Sequence, residues 1–534
     1  MTSTQLEQPS RRTLANALLA LALLAPATGF SAGKAPEAKS PAASVPTDQK
    51  LDTKAQQAAP TAFAAKEPKA VLQWGIGDGK SYWVPAFEIV GFDSLMNLFN
   101  RNFVDKQVYN SNRASISENL HSKWIVDTDP FSVNQFLHPY QGSIYHGFAR
   151  SAGLDFWESM GYTFLGSAFW EIAGERTTPS INDQVASGIG GSFLGEPLYR
   201  IARLLLESSG DSRPGFWTEL GAAAISPSTG FNRWANGGRF DGVFRSYQPA
   251  VYTRIELGAS LVAHVHSTVN LNTDITGPPI AQAFTRREVN ADFTMAYGLP
   301  GKPGYSYTRP FDYFHFEFTA STANIFENIL VRGLLYGKDY ERGANFRGVW
   351  GLYGNYDYIA PQVFRVSTTA ASFGTTGQAW LSRTVAVQGT ALAGLGYGAA
   401  GTIHAGGVGG AAAAGSGQRD YHYGMTPQEL IALRFIFGDL ASIDMTARDY
   451  YVSRVGATET KGSENIARAD VSVTLRVYNL HGITLRYVES RRDARYENRP
   501  RTHQSVGTVS LVYSFLGQTR FGAVDWRPKS AGGP

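Results

Sequence analysis

The sequence predicts an all-β transmembrane barrel of about twelve antiparallel strands, preceded by a Gly-rich helical segment. From about Val251 to Phe515, segment after segment alternates strictly between apolar and polar residues and ends at turn residues. Because successive side chains of a strand point to opposite faces, one face suits lipid and the other a wet lumen. Aromatic residues crowd the predicted strand ends, which is typical of a girdle at the lipid headgroups. They are Tyr336, Trp350, Tyr353, Tyr356, Tyr450, Tyr451, Tyr478 and Tyr487.

The turn residues divide this region into twelve predicted strands, an even number as in single-chain bacterial barrels. The strands are predicted near 250–265, 286–298, 311–322, 327–339, 345–358, 362–372, 384–399, 419–437, 439–454, 466–479, 481–496 and 503–516. Ten charged or ionisable side chains on the polar phase are expected to face the lumen. They are Arg254, Glu256, Asp292, His315, Glu317, Arg434, Asp444, Arg448, Arg476 and Arg486. A soluble β-sandwich also alternates, but its polar faces usually carry many lysines, and the stretch from Tyr340 to Val455 lacks lysine.

The N-terminus has the order of a secretory signal. Arg11 and Arg12 precede an apolar run from Leu14 to Ala25, and small residues follow, so cleavage is expected near Ala27 or Ala32. The paired arginines faintly resemble a twin-arginine signal, but we favour the general secretory route. Export, a barrel and no predicted inner-membrane anchor together predict location in a bacterial outer membrane after passage through the inner membrane, with outer-membrane lipid as the partner.

Changes of composition divide the chain into five segments. We predict a signal peptide at 1–32, a disordered linker at 33–70, a helical domain at 71–235, the barrel at 236–517 and a C-terminal tail at 518–534. The linker has too few large apolar residues to bury a core. The helical domain is expected to be a plug in the lumen or a periplasmic cap, and the stretch 399–416 a long Ala/Gly loop. The tail either folds back or adds strand pairing through 519–526.

Composition excludes several function classes. The 534 residues carry a net charge of only +4, which does not indicate a nucleic-acid partner. The chain has no cysteine, so a lipoprotein anchor, disulfides, thiolate metal sites and a cysteine nucleophile are excluded. Oligomeric state does not follow from the sequence.

Five short motifs concentrate the polar residues of the helical domain. They are HPY-x-G from His138, Y-x-x-x-A-R from Tyr145, GS-x-x-WE-x-x-GE from Gly166, PS-x-ND from Pro179 and GG-x-x-x-GE-x-x-YR from Gly190. In these motifs the chain resembles the domain-of-unknown-function family 3943, which occurs in uncharacterised bacterial outer-membrane barrel proteins. The resemblance covers about residues 124–200 and extends to the barrel only in general pattern. It implies an architecture and no reaction.

The spacing of these residues predicts a compact polar seam between helices. Glu171 and Glu175 lie on one helix face and should repel each other unless a cation lies between them. Glu196 and Arg200 have the spacing of an ion pair. Gly191 and Gly195 allow another backbone to approach closely. We expect one small cluster that contains His138, Arg150, Glu171, Glu175, Asp183, Glu196 and Arg200.

Two hypotheses about this seam remain open. In the first, which we favour, it is a structural network that includes Arg150, Glu196, Arg200, Tyr145 and Asn182, and the protein has an envelope structural, transport or assembly role. In the second, the protein is a membrane-embedded hydrolase or transferase acting on lipid or envelope glycan. The candidate catalytic or metal-binding residues are then His138, Glu171, Glu175 and Asp183. No cofactor is expected, although a divalent cation between the carboxylates is compatible with either hypothesis.

Overall fold

The computed structural model describes residues 80–208, 214–236, 248–267, 287–322, 324–361, 363–402, 421–456, 461–497 and 501–527. The predicted signal peptide and linker lie outside the described residues. So does most of the predicted Ala/Gly loop, but residues 399–402 end a strand. No helix of the described ranges is long and apolar enough to cross a bilayer.

Twelve antiparallel strands close into a barrel in which sequence neighbours pair and the first strand pairs with the last. The strands are β1 (Val251–Ser267), β2 (Arg287–Tyr297), β3 (Phe314–Ser321), β4 (Asn328–Arg342), β5 (Phe346–Ile359), β6 (Phe364–Trp380), β7 (Val385–Thr402), β8 (Tyr421–Phe437), β9 (Ala441–Val452), β10 (Gly462–Tyr478), β11 (His481–Tyr496) and β12 (Thr502–Leu516). The predicted number of strands and their order are confirmed. Closure leaves no sheet edge, as a chain surrounded by lipid requires.

Nine helices precede the barrel in the described residues. They are α1 (Trp83–Phe103), α2 (Lys106–Tyr109), α3 (Arg113–His121), α4 (His138–Ser151), α5 (Phe156–Phe169), α6 (Ile181–Asp183), α7 (Gly191–Glu207), α8 (Phe216–Ile225) and α9 (Pro227–Ala235). Three π-helical turns, Val133–Leu137, Trp170–Gly174 and Gln184–Gly190, adjoin α4, α5 and α7.

Polar side chains of the strands fill the lumen. Arg254 on β1 pairs with Asp444 on β9 at 3.2 Å, and these strands are not neighbours, so the pair crosses the lumen. Arg486 on β11 likewise reaches Glu317 on β3 at 3.2 Å. All ten side chains that were predicted to face the lumen lie on the inward phase of their strands. Among them, Arg476 pairs with Asp439 near a turn. A cavity of about 100 Å³ remains among them, which is smaller than a typical ligand pocket.

Both ends of the lumen are closed. At one end the C-terminal segment folds back: Val524 exchanges two hydrogen bonds with the inward side chain of Gln378, and Phe521 is buried. Residues 519–526 therefore fold back, and within the described part of the tail they add no strand pairing. At the other end inward apolar side chains from eight strands pack together. They include Val262, Leu330, Phe364, Ala400, Tyr450, Ile466 and Val506.

The helices pack against the outside of the barrel, so the expectation of a plug or a periplasmic cap is wrong. Phe193 of α7 contacts Gly354, whose position in β5 has the outward phase. Ring contacts join Phe131 to Tyr358 of β5 and to Tyr421 of β8, both outward. The covered wall consists of outward residues of the strands β2 to β8. Its buried members include Met295, Tyr297, Phe314, Phe316, Ile329, Val331, Tyr356, Tyr358, Ala399, Tyr421 and Tyr423.

Outside this covered wall, outward apolar side chains are exposed. Leu257 is 52% exposed, Phe373 58% and Leu511 61%, although all three have the same phase as the covered residues. The predicted aromatic girdle is only partly correct. Tyr336, Trp350, Tyr451, Tyr478 and Tyr487 are exposed and outward, but Tyr353 and Tyr450 point into the lumen and Tyr356 lies beneath the helices. A tyrosine near a strand end occupies any of the three environments, because each offers its hydroxyl a polar partner.

Candidate functional site

One end of the helical domain holds a buried cluster of a histidine and two carboxylates. One ligand atom from each of His138, Glu171 and Asp183 lies within 4.8 Å of the other two. His138 Nε2 is 3.6 Å from Asp183 Oδ2. All three side chains are buried, with residue exposures of 6%, 4% and 3%. We call these three residues the acid–histidine cluster.

Irregular turns bring the three side chains together. His138 directly follows the π-helical turn Val133–Leu137, Glu171 lies within the turn Trp170–Gly174, and Asp183 directly precedes the turn Gln184–Gly190. A π-helical turn inserts an extra residue and rotates the side chains beyond it, and such turns are frequent at functional sites. Three segments that are distant in sequence therefore converge at one level of the bundle.

Neutral donors hold the two carboxylates in place. The Ser180 amide donates to Glu171 Oε2 at 2.8 Å, and Asn182 Nδ2 donates to Asp183 Oδ1 at 3.0 Å. Ser180 also caps α6, since its hydroxyl accepts from the Asp183 amide. The PS-x-ND motif is therefore both a helix start and the support of the cluster.

The acid–histidine cluster has two buried carboxylates and no paired arginine or lysine among the described residues. Burial, together with the neighbouring carboxylates, raises the pKa of Glu171 and of Asp183 well above the usual range. Burial lowers the pKa of His138 to about 4, so its imidazole is neutral at pH 7. In the described part of the chain no arginine or lysine pairs with either carboxylate, although buried charges in proteins are normally matched.

Sequence reasoning missed the residues that connect this cluster to the barrel. Asp127 accepts hydrogen bonds from Asn134 Nδ2 at 2.6 Å and from Asn182 Nδ2 at 2.8 Å. Asn134 also donates to the Tyr421 hydroxyl at 2.9 Å, and Gln135 donates to that of Tyr423. Asp127 lies in a polar stretch without periodicity, and the tyrosines belong to a strand 240 residues or more away, so no local pattern marks them.

A second ionic cluster lies farther along α4, and its carboxylate is matched by two guanidinium groups. Glu196 accepts hydrogen bonds from Arg150 Nε at 2.7 Å, Arg200 Nε at 2.8 Å and His146 Nε2 at 3.0 Å. Arg200 also pairs with Asp312 at 3.2 Å, in the connection between β2 and β3. The guanidinium groups hold the pKa of Glu196 well below its usual range. We call this group the arginine–glutamate cluster.

The two clusters correct the expectation of a single polar seam. His138 and Arg150 are twelve residues apart on α4, which is about 18 Å along a helix axis. Glu175 adjoins the first cluster, but its oxygens accept from Trp170 Nε1 and Thr177 Oγ1, both at 2.8 Å. Tyr145 belongs to neither cluster, since its hydroxyl donates to Asp93. Asn182 supports the acid–histidine cluster.

Comparison with known families addresses the region that holds both clusters. Residues 123–228 match the family model of the domain of unknown function DUF3943. The match confirms the resemblance seen in the motifs and assigns no reaction. A comparison with curated proteins finds no match.

Comparison with solved structures finds several barrels at low similarity. The outer membrane channel DcaP of Acinetobacter baumannii is 7% identical, with 51% of this chain and 99% of that chain covered and a TM-score of 0.24. The translocator domain of the autotransporter NalP of Neisseria meningitidis is 14% identical, with 49% and 86% covered and a TM-score of 0.21. The toluene transporter TodX of Pseudomonas putida is 9% identical, with 50% and 89% covered and a TM-score of 0.18. These scores carry no functional argument.

The chain is an outer-membrane β-barrel on the basis of its own strand pairing and its apolar exterior. Its DUF3943 region lies on the outer wall of that barrel. The close approach of its helices uses the predicted glycines: a Cβ added to Gly191 would lie 2.6 Å from the Gly142 Cα, so α7 and α4 touch backbone to backbone.

Proposed function

We propose that the barrel is a closed membrane anchor that holds the DUF3943 region against its lipid-facing wall, in a structural or assembly role in the outer membrane. The position of the helices on the outside of a filled barrel is the observation that carries this proposal. A pore needs a continuous path, whereas ion pairs, an apolar cluster and the C-terminal segment occupy this lumen.

The outer face of the helical domain suits immersion in lipid. Its exposed side chains include many that are large and apolar. They include Trp83, Phe87, Leu95, Leu98, Leu165, Phe216, Trp217 and Trp234, with exposures from 52% to 78%. Apolar surface on this scale is unusual on a water-soluble face and typical of contact with a membrane or partner. We infer that acyl chains cover it.

Spin-label depth measurements test this immersion, and the cysteine-free chain permits single labels. We would label Phe87→Cys and Leu165→Cys, with Leu511→Cys as the lipid-exposed reference and Ser382→Cys, in the turn between β6 and β7, as the aqueous reference. Collisions with oxygen and with a water-soluble nickel chelate then report depth. We expect the two helix labels to behave like Leu511→Cys. Behaviour like Ser382→Cys would refute immersion.

Conductance tests the closed lumen. We expect purified protein in a planar bilayer to give no stable conductance steps under conditions in which a porin conducts. Ohmic conductance from the folded barrel would refute the anchor proposal, whatever the depth of the helices.

One observation favours the alternative of a hydrolase or transferase, namely the convergence of His138, Glu171 and Asp183. The burial of all three favours binding over turnover, because a substrate must reach reacting atoms. Hydrolysis of outer-membrane lipid or glycan by the purified protein, lost in Glu171→Gln, would support the alternative.

A further inference from the structure

The acid–histidine cluster differs from the two arginine-containing clusters of the helical domain. In the arginine–glutamate cluster, three nitrogen donors surround one carboxylate. Glu219 likewise pairs with Arg233 at 2.5 Å. At Glu171 and Asp183 the hydrogen-bond donors are a backbone amide and a side-chain amide, and neither brings a charge. Glu171 and Asp183 are buried carboxylates beside a histidine, and they lack the cation that Glu196 and Glu219 have.

The geometry suits ligands around an ion better than a hydrogen-bonded pair. His138 Nε2 and Asp183 Oδ2 are 3.6 Å apart, beyond ordinary hydrogen-bond length. Ligands at about 2.0–2.2 Å from a tetrahedral zinc ion lie about 3.3–3.6 Å from each other. The nitrogen and the oxygen therefore need to move by only a few tenths of an ångström to share one ion.

A buried oxygen without a partner belongs to the hydrogen-bond network that supports Asp183. Asn134 is fully buried, and its Oδ1 has no hydrogen-bond partner. Its Nδ2 binds Asp127, which also holds Asn182, so the amide belongs to the network around Asp183. A buried acceptor without a donor is costly, and a water molecule bound to an ion in this network would satisfy it.

We propose that His138, Glu171 and Asp183 form a divalent metal site in the DUF3943 region, with Zn²⁺ or Mn²⁺ as the class of ion. One imidazole nitrogen with two carboxylates suits these metals, whereas Ca²⁺ and Mg²⁺ prefer sites made of oxygen alone. The ion supplies the missing charge and links α4, the turn after α5 and α6. The site is additional to the anchoring role and does not depend on it.

Metal binding to the purified full-length protein tests the site. Protein in detergent is stripped with a chelator, loaded with Zn²⁺, desalted and measured by mass spectrometry, and Co²⁺ absorption reports the coordination directly. We expect one ion per chain, and competition by Mn²⁺ but not by Ca²⁺ or Mg²⁺. His138→Ala, Glu171→Gln and Asp183→Asn should each weaken binding by at least about tenfold.

Glu175→Gln is the matched control, because this neighbouring carboxylate already has two donors and lies outside the three-residue group. It should bind like the wild type. Heat-modifiability on gels reports whether each variant folds, and if a variant does not, the wild-type titration still decides. Wild-type protein that retains no Zn²⁺ or Mn²⁺, equal competition by Ca²⁺, or unchanged binding in all three variants would overturn the site. None of these results bears on conductance or on the depth of the helices.

Discussion

Replacing Glu196 by glutamine should selectively destabilise the helical domain. The change keeps the shape of the side chain and removes the one charge that faces Arg150, Arg200 and His146. Glu196 is fully buried, so water cannot replace it. Breaking a buried ion pair from one side costs about 3–5 kcal/mol, because the remaining charge has no partner.

The structure places the expected cost near the lower limit. Arg200 keeps Asp312 at 3.2 Å and the Pro310 carbonyl at 2.7 Å, so its charge stays partly matched. The Arg150 side chain is 16% exposed and gains some hydration. We therefore expect a loss of about 3 kcal/mol. Glu341→Gln is the control, since its pair with Arg347 is exposed and should contribute less than about 1 kcal/mol.

Denaturant titration in detergent measures both parts of the molecule. Helical circular dichroism follows the helical domain, and heat-modifiability on gels follows the barrel. Glu196→Gln should lower the midpoint of the helical transition and leave the barrel transition in place. The cluster contacts the barrel through the β2–β3 connection and the ring of Tyr297, and it supports no strand pairing. A helical midpoint no lower than that of Glu341→Gln would refute this account of the cluster.

Three further outcomes follow from other contacts. Burial raises the pKa of Asp93 to about 8, so between about pH 4 and 8 the folded state holds a proton that the unfolded state has lost. The stability of the helical domain should therefore fall as the pH rises, by at most about 1.4 kcal/mol per pH unit. Asp93→Asn should flatten that slope in pH-dependent denaturation. Leu511→Arg should impair barrel assembly by about 2–4 kcal/mol in refolding assays. Gly191→Ala should cost about 1–3 kcal/mol in helical melting, because its Cβ meets the Gly142 backbone, whereas Gly161→Ala, with open space around it, should not destabilise.

The barrel could be predicted because its physical cause is local. Alternation over a single strand decides which side chains face lipid, and the turns decide where strands end. The strongest boundary error was at β6, predicted to end near residue 372 and observed to extend to Trp380. Residues 373–380 are rich in glycine and threonine and resemble a turn, yet each pairs with a residue of β7. Pairing with a neighbour overrides the local preference there.

The location of the helices could not be predicted, since the strand pattern does not distinguish lipid from protein as the apolar neighbour. Leu352 and Tyr356 have the same outward phase in β5. Leu352 is 37% exposed, while Tyr356 is buried and its hydroxyl donates to the Gln135 carbonyl at 2.6 Å. Only the three-dimensional structure shows that the helical domain covers Tyr356 and leaves Leu352 exposed.

The two clusters explain why one seam was expected and two are present. Nearness in sequence predicts that each carboxylate of the motifs can pair with any of the cations around it. A helix, however, separates its own residues by 1.5 Å per position along its axis. Arg150 and Arg200 therefore pair with Glu196. They cannot reach Glu171, which lies in the turn Trp170–Gly174 near the start of α4. The same rigidity that completes the arginine–glutamate cluster deprives the acid–histidine cluster of an internal cation. A domain that matches its charges at one end and not at the other must receive the missing charge from outside the chain or keep those carboxylates protonated, and metal binding measurements on the wild type distinguish these two states.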